Sequence, residues 1–133
     1  MVEAVLDSVV LSRALLGEDE RAVAVLEKAA RGELDLIWSA YVYPDAFQAI
    51  VSLAETQVLS TAEAHAFIRL ALSIPCRAVP VQEMASAAAV TALARRLRYR
   101  PACDVTLAES RNVRLITADP DSAAACRDSI LLT

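Results

Sequence analysis

The sequence predicts one α/β domain over residues 1–133, a three-layer α/β/α sandwich around a mostly parallel sheet of about five short strands. Three observations predict it. Apolar periodicity alternates between short β-type runs and longer helical ones, and strands separated by helices favour a parallel, doubly wound sheet. The chain has the length of one ordinary domain, 133 residues. Its composition, 56% hydrophobic with two glycines, excludes disorder, collagen-like repeats and long flexible linkers.

The elements follow in order. Val2 to Leu6 reads as a short buried strand, broken at Asp7-Ser8. Val9 to Leu16 forms a short helix ended by Gly17, and Glu18 to Arg31 a second one closed by Gly32, with Val23, Leu26 and Ala30 at helical spacing. Leu34 to Ser39 is strand-like, with Trp38 as a core residue. Tyr41 to Thr56 is helical, Pro44 being tolerated in its first turn. Ser60 and Glu63 form a capping-box signature for a helix running to about Ser73. Pro75 stops that helix, and Arg77 to Val81 reads as a third strand. Gln82 to Arg98 is an Ala-rich helix, suited to close packing on several sides. Pro101 opens a further short helix to about Ser110. Val113 to Thr117 is a strand, Pro120 to Arg127 a short helix and Ser129 to Leu132 a final strand.

Charge and cysteines narrow the classes. Thirteen Lys and Arg against 17 Asp and Glu leave a net charge of −4, so bulk electrostatics do not mark a nucleic-acid binder. Cys76, Cys103 and Cys126 contain no CxxC pair, and the lone His65 cannot complete a zinc set. Reduced, mostly buried thiols in a cytoplasmic protein are expected. No signal peptide is apparent, because Glu3 and Asp7 interrupt the apolar run. No uncharged helical stretch is long enough to span a bilayer.

In an open parallel sheet, ligands gather at the carboxyl ends of the strands. Asp7 directly follows the first strand, and Asp119 closely follows the strand ending at Thr117. Asp45 and Asp104 lie in the first turns of their helices. All four can converge at one edge. Each also has a plainer reading as a helix cap or dipole partner, which suits Asp45 and Asp104 best. Crowded carboxylates repel and ionise together only around a cation. Oxygen-only ligation suits Mg2+ or Mn2+, and such a site performs phosphoryl-transfer chemistry. Asp121 is either an extra acid or a surface cap for the last helix.

The pattern resembles the PIN-domain nucleases, especially the small VapC-type toxins of toxin–antitoxin pairs. The resemblance rests on Val5-Leu6-Asp7-Ser8-Val9-Val10-Leu11, on Ser39 followed by Asp45, on Cys103-Asp104-Val105 with Leu107-Ala108-Glu109, and on Thr117-Ala118-Asp119. It runs nearly the whole length of the chain. Two departures stand out: Asp45 occupies a position where Glu is usual, and the stretch from Asp104 to Asp119 is about one helical turn shorter than usual. The resemblance implies Mg2+- or Mn2+-dependent endonucleolytic cleavage of RNA by water. Asp7, Asp104 and Asp119 would hold the metal, and Asp45 would complete the site or orient the water. Ser8 and Thr117 either orient those carboxylates or make ordinary strand-end hydrogen bonds.

Substrate and partner expectations follow. Arg95, Arg96, Arg98 and Arg100 form the one dense basic patch, read either as phosphate contacts for single-stranded RNA or as the solvated end of a helix, with Arg13 a further candidate. His65 reads as a surface or satisfied residue. The resemblance implies a homodimer and a cognate antitoxin, and the apolar content suggests an association face on helices Tyr41 to Thr56 and Ser60 to Ser73. The alternative is a catalytically silent PIN-like scaffold binding protein or RNA. A haloacid-dehalogenase-like phosphatase is disfavoured by Val9, and a phosphoaspartate receiver by Lys28 being the only lysine.

Overall fold

The computed structural model describes residues 2–132, so the two terminal residues of the expected 1–133 domain lie outside the described residues. A five-stranded sheet in the order β3-β2-β1-β4-β5 organises the chain. The strands are β1 (Val2–Leu6), β2 (Leu34–Ser39), β3 (Cys76–Val79), β4 (Arg114–Thr117) and β5 (Ser129–Leu131). Every pairing is parallel, with Val5 level with both Ile37 and Leu115.

Among the described residues seven α-helices connect them: α1 (Ser8–Leu15), α2 (Glu20–Ala30), α3 (Val42–Glu55), α4 (Thr61–Ser73), α5 (Ala85–Arg95), α6 (Tyr99–Arg111) and α7 (Pro120–Ala125). Strand alternation divides the core into two layers. Ala4, Leu6, Leu36, Trp38 and Ile116 face a cluster with buried residues of α1 to α4. Val5, Ile37 and Leu115 face the opposite cluster, built with Met84, Ala88 of α5, and Cys103, Val105, Leu107 and Ala108 of α6. Burying each large aliphatic chain contributes about 1.5–3 kcal/mol, so the two layers hold the sheet from both sides.

Several boundaries differ from the sequence expectation. β3 ends at Val79, and the segment Val81–Glu83 forms a single 3-10 turn. The helix expected from Gln82 to Arg98 is therefore shorter at both ends, since Arg96 adopts a left-handed conformation (φ 56°) that stops it. α6 starts at Tyr99, two residues ahead of Pro101, which fits a first turn because its missing N–H needs no partner there. The expected short helix thus spans 13 residues. The capping box of α4 is complete: Glu63 N–H donates to Ser60 Oγ at 3.0 Å and Ser60 N–H to Glu63 Oε1 at 2.9 Å. The cap of α7 is Asp119, not Asp121, whose own N–H donates to Asp119 Oδ1 at 3.2 Å. His65 is exposed on α4.

Cys103 and Cys126 are buried, Cys76 is half-buried, and all three are free thiols. No helix among the described residues is long and apolar enough to cross a membrane. The most exposed large apolar side chains among the described residues are Leu93, Val2, Val58, Val90 and Leu72. Two of these, Val90 and Leu93, sit on α5, which was not part of the expected association face.

The chain runs β1, β2, β3 towards one edge, then returns through α5 and α6 to place β4 on the other side of β1. Strand order reverses between β1 and β4, and a crevice opens at the carboxyl ends of these two strands.

Candidate functional site

A cavity of about 380 Å³ occupies that crevice, lined by Asp7, Asp45, Asp104 and Asp119 with Ser8, Ser39, Tyr41, Arg98, Tyr99, Arg100 and Ser122 among others. The four acids come from four separate elements. Asp7 ends β1 and caps α1, accepting from Val10 N–H at 2.8 Å. Asp45 lies in the first turn of α3. Asp104 projects from α6, while Asp119 follows β4 and caps α7. Strand ends and helix starts meet here because a parallel sheet puts all its carboxyl ends on one side. Asp104 differs from the sequence expectation in lying in the second turn of α6, not the first, because that helix already starts at Tyr99.

Asp7 is 7% exposed and heavily hydrogen-bonded. Its Oδ2 accepts from Thr117 Oγ1 at 2.5 Å and from Ala118 N–H at 3.0 Å. Thr117 Oγ1 in turn accepts from Asp119 N–H at 3.0 Å, which ties the two strand-end acids into one network. Burial raises the Asp7 carboxyl above its ordinary range; the hydrogen bonds from Thr117, Val10 and Ala118 oppose that, and the Asp119 charge adds to it. Asp119 Oδ2 accepts from Ser122 Oγ at 2.7 Å.

Asp104 is perturbed in the same direction as Asp7. Part of the residue is reached from the cavity, yet its carboxyl is densely surrounded by protein. Burial pushes it well above the usual carboxylate range, and the neighbouring Asp7 charge adds to this. A long 3.4 Å hydrogen bond from Ser39 Oγ opposes the rise, while Asp45 and Asp119 reinforce it. These carboxylates therefore sense one another. Among the described residues, no three Asp, Glu, His or Cys side chains are gathered closely enough to form a ready-made metal site. The donor chemistry nonetheless suits a hard divalent cation: all four groups are oxygen donors, and burial, reinforced by the neighbouring carboxylates, raises the proton affinity of Asp7 and Asp104.

The arginines separate. Arg98 and Arg100 line the acidic cavity. Arg95 instead holds Glu109 through two hydrogen bonds of 2.9 and 2.7 Å and donates to Ala125 O at 2.8 Å. It borders a different depression with Arg96 and Asp121. Arg13 donates to Leu132 O at 3.2 Å and faces a third depression beside Glu18, Asp19, Glu20 and Arg21. The dense run in sequence is thus split by the α5–α6 turn, and three of the five expected basic contacts lie outside the acidic cavity.

Sequence reasoning singled out Ser39 only as part of the motif that leads to Asp45, and passed over Ser122, Tyr41 and Tyr99 as cavity residues. Ser39 had a readable signal, a polar residue closing an apolar strand, and Ser122 sits three residues after the cap Asp119. The tyrosines carried none, since their place depends on how α3 and α6 pack.

No family model matches the chain, and no curated protein matches it significantly. Solved structures do. PAE2754 from Pyrobaculum aerophilum superposes with a TM-score of 0.73 at 19% identity, over 97% of this chain and 88% of that one. A chain of a toxin–antitoxin complex from Klebsiella pneumoniae gives 0.66 at 18% identity, over 96% and 95%. A chain of VapBC2 from Rickettsia felis, bound to a DNA fragment from their promoter, gives 0.67 at 12% identity, over 98% of each. At these identities the likeness is one of fold. The architecture is the three-layer, PIN-like α/β/α sandwich that the sequence predicts.

Proposed function

We propose that this protein is a divalent-metal-dependent endoribonuclease, the toxin of a toxin–antitoxin pair. The observation that carries the reading is the convergence of Asp7, Asp45, Asp104 and Asp119 on one cavity at the switch point of the sheet. Asp7, Asp104 and Asp119 would hold Mg2+ or Mn2+. When bound there, such an ion supplies an activated water and neutralises charge on the phosphodiester.

The chain's own groups do the positioning. Thr117 and Ala118 fix one face of the Asp7 carboxylate, Ser122 steadies Asp119, and Ser39 steadies Asp104. Asp7 is so deeply set that a reacting phosphate must enter the cavity to reach it. A flexible single strand can do so; the rigid outer face of a duplex cannot. A single strand is thus the preferred form of the substrate. RNA enters through the resemblance of the sequence pattern to PIN-domain nucleases, and a cognate antitoxin is the preferred partner, supported by structural neighbours solved in a toxin–antitoxin complex. A homodimer and a cytoplasmic location belong to the same reading.

The test is incubation of purified protein with labelled RNA in Mn2+ or Mg2+. Cleavage that chelation and Asp7→Asn both abolish supports the proposal. A second reading, a PIN-like scaffold without turnover, draws on the absence of a ready-made three-residue metal site among the described residues. Stoichiometric RNA binding with neither cleavage nor cation uptake by calorimetry would favour that scaffold.

A further inference from the structure

Asp45 is engaged differently from the other three acids. Its Oδ1 is ion-paired with Arg100 Nη1, across the cavity mouth between α3 and α6. The same guanidinium lies 4.8 Å from the centroid of the Tyr41 ring. Tyr41 is itself braced edge-on by Tyr99, with centroids 6.5 Å apart and planes at 77°. Arg100 is thus held on two sides, by a carboxylate and by an aromatic face, while its side chain remains 59% exposed.

A guanidinium has five N–H donors in a planar fork, and the ion pair engages only one end of it. Its remaining donors are available at the mouth of a cavity whose lining carries four carboxylates and two arginines, Arg98 and Arg100. That charge balance repels a polyanion unless a cation is fixed on its path of entry. The clamp by Asp45 and Tyr41 removes much of the rotamer entropy that an exposed arginine would otherwise lose on contacting a phosphate.

We propose that Tyr41, Asp45 and Arg100 form a phosphate clamp. Arg100 binds a backbone phosphate of a single-stranded polynucleotide next to the one at the acidic floor, and Asp45 positions Arg100 instead of serving as a fourth metal ligand. The identity of the ligand rests on the nuclease reading; the clamp itself rests on the Arg100 geometry. Asp45 in place of a longer Glu is consistent with this division, since its carboxylate is directed to an arginine on the facing helix.

The test measures binding separately from cleavage. A fluorescein-labelled single-stranded RNA oligonucleotide is titrated with the protein in Ca2+, followed by anisotropy, and thermal melts confirm that each variant is folded. Arg100→Ala should weaken binding about tenfold, the size of losing one charge-assisted phosphate contact. Arg100→Lys should recover part of that loss, and Tyr41→Leu should lose several-fold by freeing the guanidinium. Asp45→Asn should weaken binding although it removes a negative charge, and the Asp45→Asn/Arg100→Ala pair should be no weaker than Arg100→Ala alone. Arg69→Ala, on α4 and outside the cavity lining, serves as the control. Tighter binding by Asp45→Asn, or unchanged binding by Arg100→Ala, would overturn the clamp, as would wild-type protein that binds no RNA in Ca2+. Arg100-dependent binding without cleavage in Mn2+ would leave the clamp standing and remove the nuclease reading instead.

Discussion

Thr117 Oγ1 donates a 2.5 Å hydrogen bond to Asp7 Oδ2, joining the ends of two adjacent parallel strands across 110 positions of sequence. Thr117 is 1% exposed, so the bond is sheltered from water. It also works against the burial that raises the Asp7 carboxyl.

Thr117→Val keeps the shape of the side chain and deletes the donor. It should lower stability by about 1–3 kcal/mol in urea denaturation, the penalty for a buried polar group left short of a partner. It should also lower cleavage, because Asp7 would be held by fewer groups. Thr117→Ser should restore most of both. Equal losses in the two variants would mean that the methyl group, not the hydroxyl, matters.

Asp104 yields a pH signature. Its carboxyl is raised in the folded state, so the native protein holds that proton more tightly than the unfolded chain does. By linkage this group's contribution to stability falls as pH rises from the ordinary carboxylate value, near 4, through its own raised value. Asp104→Asn should therefore stabilise the cation-free protein at neutral pH, with the gain shrinking towards zero below about pH 4. Melting temperatures of the two proteins across pH check this. Added Mn2+ should raise the melting temperature of the wild type and leave that of Asp104→Asn much less affected.

Trp38 is fully buried, and its Nε1 has no hydrogen-bond partner among the described residues. It meets Tyr43 edge-on with ring centroids 5.0 Å apart. Trp38→Ala should cost about 3–5 kcal/mol through the cavity it leaves. Trp38→Phe should cost well under half as much, because the lost ring volume is offset by removing an unsatisfied donor. Chemical denaturation followed by circular dichroism compares the two, since the only tryptophan is lost in both.

Ser60→Ala should lower stability by about 1 kcal/mol, the usual value for an N-cap hydroxyl. Ser60→Asp should retain most of it, since a carboxylate can also accept from the Glu63 N–H. A shift in the urea midpoint without a change in slope would show that stability has changed while the surface exposed on unfolding has not.

Local chemistry made much of this architecture readable. Asp7 was identifiable because it interrupts an apolar run, and the Ser60–Glu63 box because its two halves lie three residues apart. The strands were legible as short apolar runs, and the runs are continuous because Ala4, Val5 and Leu6 face opposite buried layers in turn. Of the arginine run only Arg98 and Arg100 reach the acidic cavity, because proximity in sequence does not survive a left-handed residue. Arg96 turns the chain so that Arg95 points to Glu109 while Arg100 points to Asp45. The clamp was invisible for the same reason, since Asp45 and Arg100 are 55 residues apart and meet only when α3 and α6 have packed on the sheet.

The central position of β1 has a kinetic consequence. Its carboxyl-end acid is completed by β4, one of the last strands in the chain, so the site's closing contact spans nearly the whole length of the chain. Contacts of such separation form late and slowly. A nascent chain that has exposed β1 through α5 already contains Asp7 and Asp45, yet it lacks Asp104, Asp119 and the threonine that orients Asp7. The four acids therefore cannot be assembled on a polypeptide that stops at α5. They come together only once the segment that contains β4 has been made and has left the ribosome.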